Sequence, residues 1–270
     1  MSLWRRQQRR PLRPTIVLAA VAGAVVVILM AARLFSDSGG QPGQAGTTNE
    51  VTSPSTTPLA AGAASEAAPA DQVMLPAGSD QLDGYPVGFP HTDLGAVSAL
   101  VEFNRAQIGF DYDQSAAIAR VYAAPDDADE VEARASEAVA NRRQQLGVPA
   151  TGDPAAPAAF ALTPFAFTID ELDTDYYAVT VLNLATTTNT NGEVRNLYYS
   201  GTQLVRWIST GEGESGDWKV AEPSAEDAEQ VASLPRLAAV GPTDPQFAES
   251  GWIAVKTPTS STGTDTGPDQ

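Results

Sequence analysis

The chain divides into blocks that differ in how apolar and polar positions are spaced. Residues 15–32 (TIVLAAVAGAVVVILMAA) hold 18 positions without a charge, and Leu34 and Phe35 extend the apolar run past Arg33. At about 1.5 Å per residue, a helix of that length covers about 27–30 Å, the thickness of a bilayer core. Arg33 is near enough to the end to snorkel its guanidinium to the interface. Residues 15–35 therefore read as a transmembrane signal anchor. The competing reading is a cleaved signal peptide, with Arg9 and Arg10 imitating a twin-Arg signal. Against it, the run is long for such a segment and no A-x-A cleavage site stands out.

Residues 36–83 are rich in Ser, Thr, Gly, Pro and Ala, with few bulky apolar side chains. Such a stretch cannot bury enough surface to offset chain entropy, so it reads as a disordered linker, and residues 257–270 read as a disordered tail for the same reason. Between them, residues 84–222 hold most of the aromatic residues outside the basic N-terminal segment 1–14, and residues 223–256 form a C-terminal helix and extension.

Helical periodicity comes first in the 84–222 block. Thr92 is placed to cap a helix carrying Val97, Leu100, Val101 and Asn104 at i, i+3, i+4 and i+7. A second helix fits residues 113–123, capped by Asp113, with Ile118, Val121 and Tyr122 on one face. A third fits residues 127–146, its acids at the start and Arg142 and Arg143 near the end, the polarity a helix dipole favours. Beyond a Pro/Ala stretch, residues 160–169, 176–186, 194–209 and 218–221 are rich in Phe, Tyr, Val, Thr and Trp and read as strands. Turn-forming residues 189–192 and 211–216 separate the last three, which predicts an antiparallel meander. Ser224 and Asp227 then resemble a capping box opening a short helix.

Charge changes the picture by its distribution. Six Arg and no acid lie in residues 1–33, whereas the rest of the chain has ten basic residues and 33 acids, a net of −23. The positive-inside bias puts residues 1–14 in the cytoplasm and the bulk of the chain outside, as a single-pass protein of the cell membrane. An acidic exterior repels a duplex, so no direct nucleic-acid contact is expected. Absence of Cys excludes disulfides, thiolate zinc sites and cysteine nucleophiles.

Candidate chemistry is sparse. His91 is the only imidazole, which is read as excluding a triad or a multi-His metal site unless assembled from carboxylates alone; it lies in a turn where packing or hydrogen bonding at the helix start competes with a general-base role. Asp170, Asp173 and Asp175 are acids of the right type but lie in a turn between strands. The acids from Asp126 to Glu132 lack the spacing and central Gly of a calcium loop, and read as a solvated helix start. The expectation is no catalytic residue, no cofactor and no metal. Tyr198, Tyr199 and Trp207 alternate along one strand, so some face the core and the others form a candidate partner surface. Trp218 reads as an inner-strand anchor.

Helices followed by a curved sheet describe an α+β fold, and the order of three helices and four antiparallel strands resembles the cystatin-like roll of nuclear transport factor 2. At residues 84–97 (GYPVGFPHTDLGAV) the chain resembles single-pass membrane proteins of actinobacteria, some of which occur with conjugative elements. The Arg-over-Lys preference, 14 against 2, suits a GC-rich genome. The wider layout is similar to type IV secretion assembly subunits, including TcpC-like proteins, although those have two rolls. The resemblance implies a non-enzymatic scaffold subunit of a conjugation-type secretion system. Its expected partners are the membrane, other envelope or secretion-complex proteins and a second copy of itself. The alternative is a small-molecule or peptide sensor using the cone of the roll, which Phe165, Phe167 and Trp207 would block if they filled it. A hydrolase or isomerase would need Asp170, Tyr176 and His91 to converge.

Overall fold

The computed structural model describes residues 72–209, 211 and 215–256. In chain order the elements are β1 (Gln72–Val73), β2 (Asp80–Leu82), β3 (Tyr85–Val87), α1 (Asp93–Ala106), α2 (Tyr112–Tyr122) and α3 (Ala128–Gln145). They continue with β4 (Ala159–Asp173), β5 (Tyr176–Thr188), β6 (Val194–Ser209), β7 (Gly216–Ala221), α4 (Ala225–Ser233), α5 (Pro245–Glu249) and β8 (Ile253–Val255).

The helices begin where a side chain can satisfy an orphan N–H. Thr92 caps α1 by accepting from the Gly95 N–H, and Asp111, not Asp113, caps α2 by accepting from Gln114. At α4 the capping box is complete: Ser224 accepts from the Asp227 N–H while Asp227 accepts from the Ser224 N–H.

β5 to β7 form the expected antiparallel meander and β4 extends it, with β4–β5 and β5–β6 paired over nearly their full lengths. The expected four-stranded antiparallel sheet is nevertheless incorrect. The sheet has six strands in the order β1-β8-β4-β5-β6-β7, and β1 and β8 run parallel, so it is mixed. Five α-helices and a separate β2–β3 hairpin accompany it among the described residues. The roll of three helices and four strands is therefore replaced by a larger α+β unit. Among the described residues, β1 and β2 lie inside the stretch read as linker, and residues 223–256 supply a sheet strand. Among the described residues no helix is long and apolar enough to cross a membrane, and residues 15–35, where the sequence predicts that span, lie outside them.

Period-two alternation gives the sheet two apolar faces, and both are covered. On one face Phe167, Val179, Val181, Val205 and Trp218 pack against α1 and α2 in the main core. On the other, Ala166, Leu182 and Ala254 pack under Phe247 and Trp252, while Ala178, Leu204 and Ala221 pack under Val231 and Leu234 of the α4 region. The C-terminal extension is thus a third layer, which buries apolar positions that a one-sided roll would leave in water.

Candidate functional site

Two features combine exposure with organised chemistry. The first is an aromatic corner where α1 begins. Asp217 of β7 accepts from the N–H groups of Phe89 (3.1 Å) and Trp218 (3.0 Å) and pairs with Lys219 (3.0 Å). The Trp218 indole N–H donates to the Pro90 carbonyl at 2.9 Å, fixing the turn that presents His91. The His91 ring then lies flat on Trp207, with centroids 4.0 Å apart and planes 5° apart, and its Nε2 is 2.7 Å from Asp175 Oδ1. Asp175 has φ of 58° in the β4–β5 turn, the left-handed region that Asp tolerates better than most side chains. His91 and Asp175 are both partly exposed, with side chains 36% and 42% accessible. Burial pushes the nearby Tyr177 phenol up, and the charges of Glu171, Asp93 and Asp175 push it the same way.

The second feature is a groove of about 620 Å³ along one side of α1. Leu75 to Ser79, in the segment joining β1 to the β2–β3 hairpin, forms with Asp80 and Gln81 of β2 a strap along one wall, and α1 forms the other. Phe89, Val101 and Val255, all buried, make an apolar floor. Glu102 and Arg105, ion-paired on α1, and Lys256, just past β8, supply charge at the rim. Gly78 holds the strap in place: a Cβ there would lie 2.5 Å from the Val87 carbonyl oxygen, so only glycine permits this approach to β3. The volume lies within the usual range for ligand pockets, about 300–1,000 Å³.

The three residues expected to form a partner surface do not share one. Tyr198 is 37% exposed on the face covered by the C-terminal extension, edge-on to Phe165 at 5.5 Å. Tyr199 lies on the helix face beside Arg142. Burial pushes its phenol up, while the Arg142 charge acts in the opposite direction. Burial in turn lowers the Arg142 guanidinium to about 10. Trp207 lies under His91, at the other end of β6.

His91 and Asp175 meet, but Tyr176 donates its hydroxyl to Asp227 at 3.0 Å on the α4 side, and Asp170 alternates to that same face. The convergence that a hydrolase or isomerase reading required is therefore not formed. Phe167 and Trp218 fill the space between sheet and helices where a ligand-holding cone was considered, whereas Phe165 faces the other way. In the acid run, Asp127 takes the Arg206 guanidinium at 3.1 Å and Glu132 pairs with Arg120 at 2.6 Å. Both serve ion pairs between elements.

Sequence reasoning missed the groove because its strap lies in the stretch read as linker. The available signal was Met74-Leu75, Leu82 and Tyr85-Pro86-Val87, bulky apolar residues reappearing after a long polar stretch. No family model matches the chain, and no curated protein or solved structure matches it either.

Proposed function

We propose that the folded unit is a non-enzymatic docking domain, held on the outer side of the cell membrane by its N-terminal region. In this reading it serves as an assembly or scaffold subunit of a conjugation-type envelope secretion system. The observation that carries the docking part is the groove beside α1. It combines an apolar floor with a polar rim, and three of its walls come from distant parts of the chain: the strap, α1 and β8. The envelope and secretion part is supported by the order of segments along the sequence and by the resemblance at residues 84–97. The filled space under the sheet favours docking at this groove over a sensor that encloses its ligand.

Site-specific photocrosslinking in intact cells tests the proposal. A photoreactive residue at Ala77, exposed in the strap, is expected to give a discrete adduct with another envelope protein. The same residue at Ala140, exposed on α3 away from the groove, is the control. Equal labelling at both sites, or none at Ala77, overturns the docking reading.

A further inference from the structure

We infer that a second copy of the chain pairs with the outer edge of β6, antiparallel about a two-fold axis, so that the two sheets become one. β6 is paired with β5 in an unbroken register from Val194 to Arg206, but β7 pairs with it only from Leu204 to Ser209. Among the described residues, 194–203 therefore have a strand on one side alone. Backbone bonds at the two ends show which groups face outward. The Trp207 N–H donates to the Asp175 carbonyl at 2.9 Å, and the Asn189 N–H donates to the Glu193 carbonyl at 3.1 Å. Odd-numbered residues of β6 thus turn to β5, and by alternation Val194, Asn196, Tyr198, Ser200 and Thr202 turn N–H and C=O away from it. Among the described residues no hydrogen bond reaches those outward groups, and none of the five residues is buried.

The other edges of this sheet are protected. β1 has only two residues, and the outer side of β7 is closed by the Ala124 N–H, which donates to the Val220 carbonyl at 2.8 Å. Residues 194–203 carry no Pro, Lys, acid or bulge, the devices that keep an exposed strand from pairing. Charge and register select a second copy. Beyond residue 33 the chain has ten basic residues against 33 acids, so two copies repel over most of their surface, yet Glu193 is the only acid from Tyr176 to Gly211. Centred on Tyr198, the strand sets Val194 opposite Thr202, Asn196 opposite Ser200, Leu197 opposite Tyr199 and Arg195 opposite Gly201 of the other copy, and no like charges meet. All five outward residues then exchange both backbone groups, about ten hydrogen bonds, the number in a typical interface. A shift of two residues fails in either direction. One sets Val194 against Leu204, whose outer side Ala221 occupies; the other sets Thr202 against Gly192, whose N–H is spent on the Asn189 carbonyl. This edge lies at the far end of the sheet from β1, β8 and the groove, so the inference does not rest on docking there.

The chain has no Cys, so single cysteines introduced into the purified full chain report contacts between copies. Under mild oxidation Tyr198→Cys should give a disulfide-linked dimer, since directly bonded antiparallel residues have Cα atoms about 5.5 Å apart. Gln81→Cys, exposed on the separate β2–β3 hairpin, should stay unlinked. Asn196→Asp with Ser200→Asp sets like charges opposite each other twice across the axis. It should weaken dimerisation at least about tenfold, read by sedimentation velocity. Asn196→Asp with Ser200→Lys sets opposite charges at the same places and should restore the dimer, which a strand merely damaged by substitution would not do. The contrast between the two variants should shrink at about 1 M salt.

A wild-type chain that stays monomeric at about 100 μM overturns the inference. So does a dimer to which both charge variants respond alike, or equal linkage through Gln81→Cys. If Tyr198→Cys links a different protein in cells and never a second copy, the edge has another occupant and the inference falls. Adducts at Ala77 report on the groove separately, whichever of these results is found.

Discussion

Replacing Gly95 by alanine tests the packing that positions the aromatic corner. In an exposed helix interior this change would stabilise by about 0.8–1 kcal/mol, because Gly is the poorer helix former. Here a Cβ at position 95 would lie 1.9 Å from the Pro90 carbonyl oxygen and 3.1 Å from Trp218 Nε1. The Pro90 carbonyl must then retreat by more than about 1 Å to restore ordinary contact. It already accepts from the Thr92 N–H at 2.8 Å and from the Trp218 indole at 2.9 Å, so both bonds stretch beyond useful length. Each is worth about 0.5–1.5 kcal/mol, and forced repacking adds about 1–3 kcal/mol. Set against the propensity gain, Gly95→Ala should cost about 2–4 kcal/mol. Urea unfolding followed by tryptophan emission measures the loss directly, and the midpoint should fall without a large change in slope. Near-ultraviolet circular dichroism should also change, because Trp207 and Trp218 lie edge-on at 5.3 Å. A variant as stable as wild type would refute the close approach of α1 to the Pro90 turn, and with it the account of how His91 is presented.

Two further outcomes follow from the same packing. His91→Ala removes the ring stacked on Trp207 and should cost about 0.5–1.5 kcal/mol, while acrylamide quenching of tryptophan emission rises; unchanged quenching would contradict the stack. Burial raises the phenols of Tyr122, Tyr176, Tyr177 and Tyr199 above 10.0, so in each case the folded state holds its proton longer than the unfolded chain. Their contribution is whole below pH 10 and is lost as the pH climbs above it toward the folded values, so alkaline unfolding should be steep. Absorbance at 295 nm should show Tyr122, Tyr176 and Tyr199 ionising only with unfolding, and a full set of seven titrating near pH 10 in native protein would disprove their burial.

Local elements were legible because short-range physics decides them. Thr92 and the Ser224–Asp227 box announce helix starts through side chains that reach only three residues ahead. The run of Phe, Tyr, Val and Thr from β4 to β6 announces strands whose partners follow within one turn. The same reasoning failed at β1 and β8. Two or three residues carry no measurable period, and Val73 pairs with Val255 across nearly the whole folded unit.

The fate of the aromatic pair on β6 shows the limit in another way. Alternation alone places Tyr198 and Tyr199 on opposite faces, but it does not say which face the C-terminal extension covers. Gly241 decides that at Tyr198: a Cβ there would stand 2.8 Å from the ring. Likewise, nothing near His91 in sequence indicates Asp175, 84 residues away, as its partner.

By itself, then, the sequence determined where charge and greasiness change along the chain, where α1 to α4 begin to within a residue or two, and that β5 to β7 form a meander. Each of these depends on neighbours within a few residues or on a single turn. The tertiary structure alone decided that a parallel β1–β8 pair extends the sheet, that both sheet faces are covered, and that a strap, a helix and a strand end enclose a groove. Those outcomes depend on contacts between segments far apart in the chain, where loop-closure entropy is offset by buried area that no local window contains.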